Sequence, residues 1–244
     1  MANQLGDYLP FINLGTSRTS VAIFSSSRVL CSILDTSDLK CFGYNINGQL
    51  GQGHTLNLGD ETSEMGDYLQ PVNLPTGHTT GKMVGGYDFT GIISTNGNSL
   101  FLWGENAIGQ LGLGHTNDIG DNSSEMGNYL QATNLGNGVG VIDYQGGEEQ
   151  GCALLDDFSM KCFGRNQFGQ LGYGDNQDRG DEANEMGEYL PVVNLGMELT
   201  VQSIQIGYYH GCAMLNDDSL KCWGRGFNSF VILNDIILNF LSFF

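Results

Sequence analysis

The sequence predicts an all-β protein assembled from a repeated unit of about 60 residues, with the organisation of a β-propeller. The string Gly-x-Tyr-Leu begins at positions 6, 66, 127 and 187. Short apolar runs alternate with Gly, Asn and Asp, which favour turns between strands. No segment longer than about two turns shows the 3.6-residue apolar period of an amphipathic helix. Four short strands in each unit would match one propeller blade.

A second marker keeps step with the first and sets the organisation of the chain. Gly-Gln-Leu-Gly begins at positions 48, 109 and 169. We expect residues 1–226 to form one propeller segment of about four blades, followed by a divergent apolar tail at 227–244. The units run over about 6–65, 66–126, 127–186 and 187–226.

Each unit contains a predicted hairpin in which two apolar runs flank a small polar turn. The hairpins span 29–43, 91–104, 151–164 and 211–224. The six cysteines form three pairs ten residues apart, each across one such turn. Residue 31 faces residue 41 in a hairpin centred on Thr36, at a distance that suits a disulfide. The predicted disulfides are Cys31–Cys41, Cys152–Cys162 and Cys212–Cys222.

The second unit tests this interpretation because it has no cysteine. We assign Ile92 and Leu102 to the two positions, so both members of the pair are replaced together, as cross-strand contact predicts. Three pairs of reduced, buried thiols are the alternative. The cysteine spacing and the scattered His54, His78 and His115 do not match a zinc site.

Three disulfides favour an extracellular or luminal location. However, the start at Met1 lacks the basic and apolar stretches of a signal peptide, which favours the cytoplasm if that start is genuine. One resolution of this conflict is that the native protein begins upstream of Met1. The tail at 227–244 abandons the repeat and contains no Gly, and we interpret it as an out-of-frame or unspliced end.

The string G-x-N-x-x-G-Q-L-G-x-G occurs at 43–53, 104–114 and 164–174. Together with Lys-Cys-Phe-Gly or Lys-Cys-Trp-Gly in three units, it resembles the regulator of chromosome condensation repeat family, which also includes the bacterial beta-lactamase-inhibitor protein II. The resemblance covers about residues 6–226. It implies a propeller of four-stranded blades, typically seven in a complete ring, so about four blades leave the ring incomplete or open. The expected turn residues are Asn45, Gly48, Gly51, Asn106, Gly109, Gly112, Asn166, Gly169 and Gly172.

The formal net charge of −18 disfavours direct binding to nucleic acid or to an anionic membrane. Nearly half of the 27 acidic residues lie in the loop that follows each Gln-Leu-Gly. Such a rim could steer a basic protein partner, or the loops could serve only to keep the protein solvated. A calcium site at 175–182 is disfavoured by Arg179 at an expected ligand position. The candidate partner-binding residues are Asp60, Glu64, Asp121, Glu125, Asp181 and Glu185.

These observations predict a non-enzymatic protein-interaction module without a metal or cofactor. Neither G-x-S-x-G nor H-E-x-x-H is present, and no residue is a catalytic candidate. The alternative, guanine-nucleotide exchange on a small GTPase, rests on family analogy, and disulfides count against it. The charge disfavours chromatin docking, and Trp103 and Trp223 are too few for ultraviolet sensing by clustered tryptophans. An open ring could self-associate.

Overall fold

A computed structural model describes residues 9–226 and the two-residue strand 230–231. These residues form four antiparallel sheets in which consecutive strands are neighbours, which confirms the predicted all-β repeat architecture. The sheets do not form a closed ring. In the described part of the chain, no helix has the length and apolar character needed to cross a membrane. The strands are β1 (Ser20–Ser25), β2 (Val29–Leu34), β3 (Leu39–Gly43), β4 (Thr80–Gly85), β5 (Phe89–Ser94), β6 (Leu100–Gly104), β7 (Val141–Gly146), β8 (Gln150–Leu155), β9 (Met160–Gly164), β10 (Val201–Ile206), β11 (His210–Leu215), β12 (Leu220–Arg225) and β13 (Phe230–Val231).

The expectation of four strands in every unit is wrong, because the first three sheets have three strands. The segment in the fourth position touches the third strand through a single backbone bond, such as the one from Val72 N to Leu39 O at 2.7 Å. In two units a proline lies just before the bonded residue: Pro71 directly precedes Val72, and Pro191 lies two residues before Val193. Proline has no N–H to extend the ladder. In the last sheet β13 pairs with β12 as a fourth strand; the rest of the tail at 227–244 lies outside the described residues.

The hairpins follow the predicted register, and each cysteine pair faces directly across it. Disulfides join the three pairs with a Cα–Cα distance of 4.1 Å in every case. The assignment of Ile92 to a cysteine position is wrong. Gly91 faces Leu102, while Ile92 faces Phe101. A Cβ atom on Gly91 would lie 2.4 Å from Leu102 Cδ2, so the leucine side chain fills the space that a disulfide occupies in the other units.

Successive units pack through a recurrent aromatic residue at the end of the third strand. Trp103 is fully buried among residues of the first unit, and its indole N–H donates to Gln49 O at 3.1 Å. Trp223 repeats the contact, donating to Gln170 O at 2.8 Å. Phe42, which has no preceding unit among the described residues, is only half-buried. Each unit therefore covers the disulfide-bearing or leucine-bearing face of the unit before it.

Candidate functional site

The repeated Asn of each Gln-Leu-Gly loop holds that loop together from its centre. Fully buried Asn106 donates to the carbonyl oxygens of His115 and Asn117 at 2.7 and 3.0 Å. Its side-chain oxygen accepts from Leu111 N at 3.0 Å. Asn45 and Asn166 occupy equivalent positions and make closely similar contacts. These side chains are enclosed by their own loop, so their geometry is that of a scaffold.

The glycines of the same loops lie where the next unit comes closest. Gly48 and Gly109 have φ of 80° and 72°, and a Cβ atom on either would lie 2.3 Å from a backbone nitrogen of the following unit. The backbone also bonds across units, from Gly53 N to Gly120 O and from Gly114 N to Gly180 O, both at 2.9 Å. The remaining predicted turn glycines share the positive φ: Gly51, Gly112, Gly169 and Gly172.

The predicted partner-binding glutamates are engaged inside their own acidic loops. Glu125 Oε2 accepts from Gly120 N and Asn122 N at 3.0 and 3.2 Å. Glu64 and Glu185 make the same pair of contacts with their own loops.

The aspartates at the paired positions, Asp60, Asp121 and Asp181, lie beside these glutamates. Burial and then Asp121 raise the pKa of Glu125, while backbone hydrogen bonds from Glu61 and Gly59 lower that of Glu64. Burial and then Glu185 raise the pKa of Asp181. The acidic loops therefore supply charge, but their glutamates already have hydrogen-bond donors.

A second set of side chains, which the sequence did not single out, lies where the first strand of each unit turns into the second. We define the turn face as residues 26–28, 86–88, 147–149 and 207–209, with 44, 105, 165 and 225. In every unit a backbone hydrogen bond of 2.8 to 3.1 Å joins this turn to the residue that follows or ends the third strand. It places two side chains next to each other in each unit: Arg28 with Tyr44, Asp88 with Glu105, Glu149 with Arg165, and Tyr209 with Arg225.

Glycine brings the turns of neighbouring units into backbone contact. A Cβ atom on Gly147 would lie 2.4 Å from Gly207 O, so only glycine fits there. Tyr87 N donates to Gly147 O at 2.9 Å, and the Gln150 side-chain amide donates to Tyr208 O at 2.8 Å. The side chains of three successive turns therefore converge.

Aromatic rings form the exposed part of this face. The rings of Tyr87 and Tyr208, from the second and fourth units, lie 6.2 Å apart in an edge-to-face arrangement. Tyr209 lies 4.5 Å from Tyr208, and Phe168 lies 5.1 Å from Tyr209. Tyr208 is 49% exposed. Exposed or half-exposed tyrosines of this kind are common in protein-binding surfaces.

Carboxylates of the turn face contact one of the rings and one of the arginines. Glu148 accepts a hydrogen bond from the Tyr208 hydroxyl. Glu149 pairs with Arg165 at 2.5 Å. Burial raises the pKa of Glu105 to about 7, and the charges of Asp88, Glu149, Asp118 and Glu148 add to the effect.

No three His, Cys, Asp or Glu side chains of the described residues are placed to hold a metal ion. In the segment weighed for calcium, Asp175 is bonded to Arg179 at 2.8 Å. The arrangement of the turn face suits non-covalent recognition of a partner with positive charge.

Comparison with known proteins agrees with the fold and the repeat. A family model described as Regulator of chromosome condensation (RCC1) repeat matches residues 162–214, and a second of the same description matches residues 201–230. Over residues 162–230 the chain therefore carries repeats similar to those of the regulator of chromosome condensation family. The expected resemblance is confirmed.

Two proteins of similar sequence and one solved structure of similar fold show how much of a longer protein the chain spans. Ultraviolet-B receptor UVR8 of Arabidopsis thaliana is 29% identical over 81% of this chain and 39% of its own length. Secretion-regulating guanine nucleotide exchange factor of Bos taurus is 27% identical over 78% of this chain and 36% of its own. Prp20p of Saccharomyces cerevisiae, a protein with binding properties to Gsp1p and histones, has a TM-score of 0.62 at 19% identity over 85% of this chain and 44% of that one. The chain spans less than half the length of each.

Proposed function

We propose that this chain is a non-enzymatic protein-interaction module that binds a basic protein partner through the turn face. The observation that carries the proposal is the contrast between constant and varied positions of the repeat. The glycines that end the third strands and the backbone bonds to the turns recur in every unit. The side chains that they place on the turn face change from unit to unit between tyrosine, carboxylate and arginine.

A constant scaffold with varied side chains on one face is typical of repeat proteins that bind other proteins. The net charge of −18 favours a basic partner and would speed its encounter. The acidic loops, in the neighbouring part of each unit, contribute to the negative electrostatic potential that attracts such a partner. In this proposal Asp60, Asp121 and Asp181 attract the partner at a distance, while the turn face makes the contact.

The test is capture of a partner from extract, followed by reconstitution of the complex from purified components. The turn-face variant combines Tyr87→Ser, Tyr208→Ser and Tyr209→Ser. A matched control combines Tyr68→Ser, Tyr129→Ser and Tyr189→Ser, three tyrosines elsewhere that are 70 to 73% exposed. We expect the wild type and the control to bind the same purified partner and the turn-face variant to lose it. Equal binding by both variants would refute the proposal.

A second candidate is guanine-nucleotide exchange on a small GTPase, favoured by the similarity to the secretion-regulating exchange factor over 78% of this chain. It predicts that the purified chain accelerates release of labelled GDP from a small GTPase such as Gsp1p. Binding of a partner without accelerated release would support the interaction module alone.

A further inference from the structure

The turn face carries more negative charge than its own arginines neutralise. Arg28 lies 3.8 Å from Asp88, and Arg165 pairs with Glu149. Among the described residues, neither Glu105 nor Glu148 has a cation within ion-pair distance. The contacts of Glu148 among the described residues are to the hydroxyls of Tyr208 and Tyr209, which carry no positive charge. A positive group at this position would complete the cluster.

The arginines of the same face show how such a group would be held. The guanidinium carbon of Arg28 lies 4.8 Å from the ring centre of Tyr44 and 5.1 Å from that of Tyr87. That of Arg225 lies 4.5 Å from the ring centre of Phe168. These distances are within the range of about 6 Å over which an aromatic face attracts a cation. The first two units and the last two each have an arginine seated on aromatic rings.

Between these two arginines, the rings of Tyr87 and Tyr208 approach each other beside Glu105 and Glu148. Arg28 lies over the Tyr87 ring, on the side of the first two units. Within residues 9–226 no cation lies over the Tyr208 ring, which is 49% exposed and whose hydroxyl is bonded to Glu148. The combination of an exposed ring and an adjacent carboxylate without an internal cation is the chemistry that recognises a planar cation. Guanidinium fits better than ammonium, because it stacks on a ring and bonds a carboxylate at the same time.

We propose that Tyr87, Glu105, Glu148 and Tyr208 form a recognition site for an arginine side chain of the protein partner. The proposal rests on the proposed function and specifies the chemistry of the group that the turn face receives. The arginine would place its guanidinium against the exposed Tyr208 ring, where the charge of Glu148 attracts it. Glu105 would add attraction without direct contact.

The probe is a fluorescein-labelled peptide of sequence Gly-Arg-Gly-Arg-Gly, measured by fluorescence anisotropy at low ionic strength with the full chain. A peptide with citrulline in place of arginine keeps the shape and removes the charge. Glu148→Gln and Tyr208→Ala are the test variants. Glu182→Gln, which removes one exposed carboxylate from an acidic loop, is the control for net charge.

We expect each test variant to weaken arginine-peptide binding by about 5-fold or more, since each removes an attracting charge or a cation–π contact. The control should change it by less than about 2-fold, as expected for a screened surface charge. Equal losses in all three variants, equal binding of the citrulline peptide, or no binding by the wild type would each overturn the arginine site. If the arginine site is overturned but the chain still captures a protein partner, the proposed protein-interaction function is retained. The experiments therefore distinguish failure of one proposal from failure of the other.

Discussion

Substitution of Gly109 by alanine tests whether successive units depend on the close approach of one loop to the next. Gly109 and Gly169 are equivalent residues with φ of 72° and 73°, so alanine meets nearly the same backbone strain at both. At position 109 the new Cβ atom would lie 2.3 Å from Asp181 N. At position 169 the nearest described atom is Asp175 O at 3.8 Å. The pair therefore separates packing between units from local conformation.

The magnitudes follow from these two effects. A left-handed backbone costs an L-residue about 1–2 kcal/mol, and reduced freedom of the unfolded chain returns about 0.4–1 kcal/mol of stability in both variants. The backbone clash at position 109 adds the cost of overpacking, about 1–3 kcal/mol. We expect Gly109→Ala to be less stable than Gly169→Ala by about 1–3 kcal/mol, the overpacking cost alone.

The assay is urea unfolding followed by the fluorescence of Trp103 and Trp223, which lie at two of the interfaces between units. Gly48→Ala should behave like Gly109→Ala, because its Cβ atom would lie 2.3 Å from Asp121 N. Equal free energies of unfolding for Gly109→Ala and Gly169→Ala would refute the argument that loop contact between units stabilises the fold.

Three further predictions concern the scaffold and its chemistry. Asn106→Ala removes three side-chain hydrogen bonds and leaves the buried Leu111 N–H without its acceptor. At about 1 kcal/mol a bond, it should lower the free energy of unfolding by about 3 kcal/mol. The exposed control, Asn137→Ala, should change it by less than about 0.5 kcal/mol in the same urea titration. Full reduction should raise the intact mass by six hydrogens. Under mild reductant the partly exposed Cys212–Cys222 should be alkylated first, because the other four cysteines are fully buried. Release of all six thiols together would contradict this order. Folding raises the pKa of Glu105 from 4.5 to about 7, so between these pH values the folded protein binds more protons than the unfolded chain. The free energy of unfolding should therefore fall as pH rises through this range. Glu105→Gln should lessen that fall in urea midpoints measured from pH 5 to pH 8, and parallel curves for the two proteins would contradict the prediction.

The sequence was sufficient to predict the parts of the structure that repeat. The ten-residue spacing of the cysteines predicts the hairpin register, because a turn centred on Thr36 places residue 31 opposite residue 41. The constant Asn and Gly of the loops are fixed by hydrogen bonds and close approaches that recur in successive units. The error at Ile92 arose because the second unit is one residue longer than its neighbours, and the extra residue lies after the first of the two cysteine positions rather than before it.

The turn face could not be found by comparing units, because its residues differ in each one. Arg28, Asp88, Glu149 and Tyr209 occupy one position with three different chemistries, so no motif marks it. The available signal was the constant glycine that ends each third strand, which predicts where the next side chain lies. The acidic loops were conspicuous for their charge, but charge in a sequence does not show that Glu125 and Glu185 are bonded to their own backbone.

Hydrogen–deuterium exchange of the chain alone and with its purified partner tests the central claim most directly. The turns at 86–88, 147–149 and 207–209 lie at one end of the sheets, and the hairpin turns at 95–99, 156–159 and 216–219 lie at the other. We predict that the partner slows exchange at the first set and in the peptides that contain Glu105 and Arg165, with no change at the second set. Protection confined to the hairpin turns would contradict the assignment of the turn face as the binding surface.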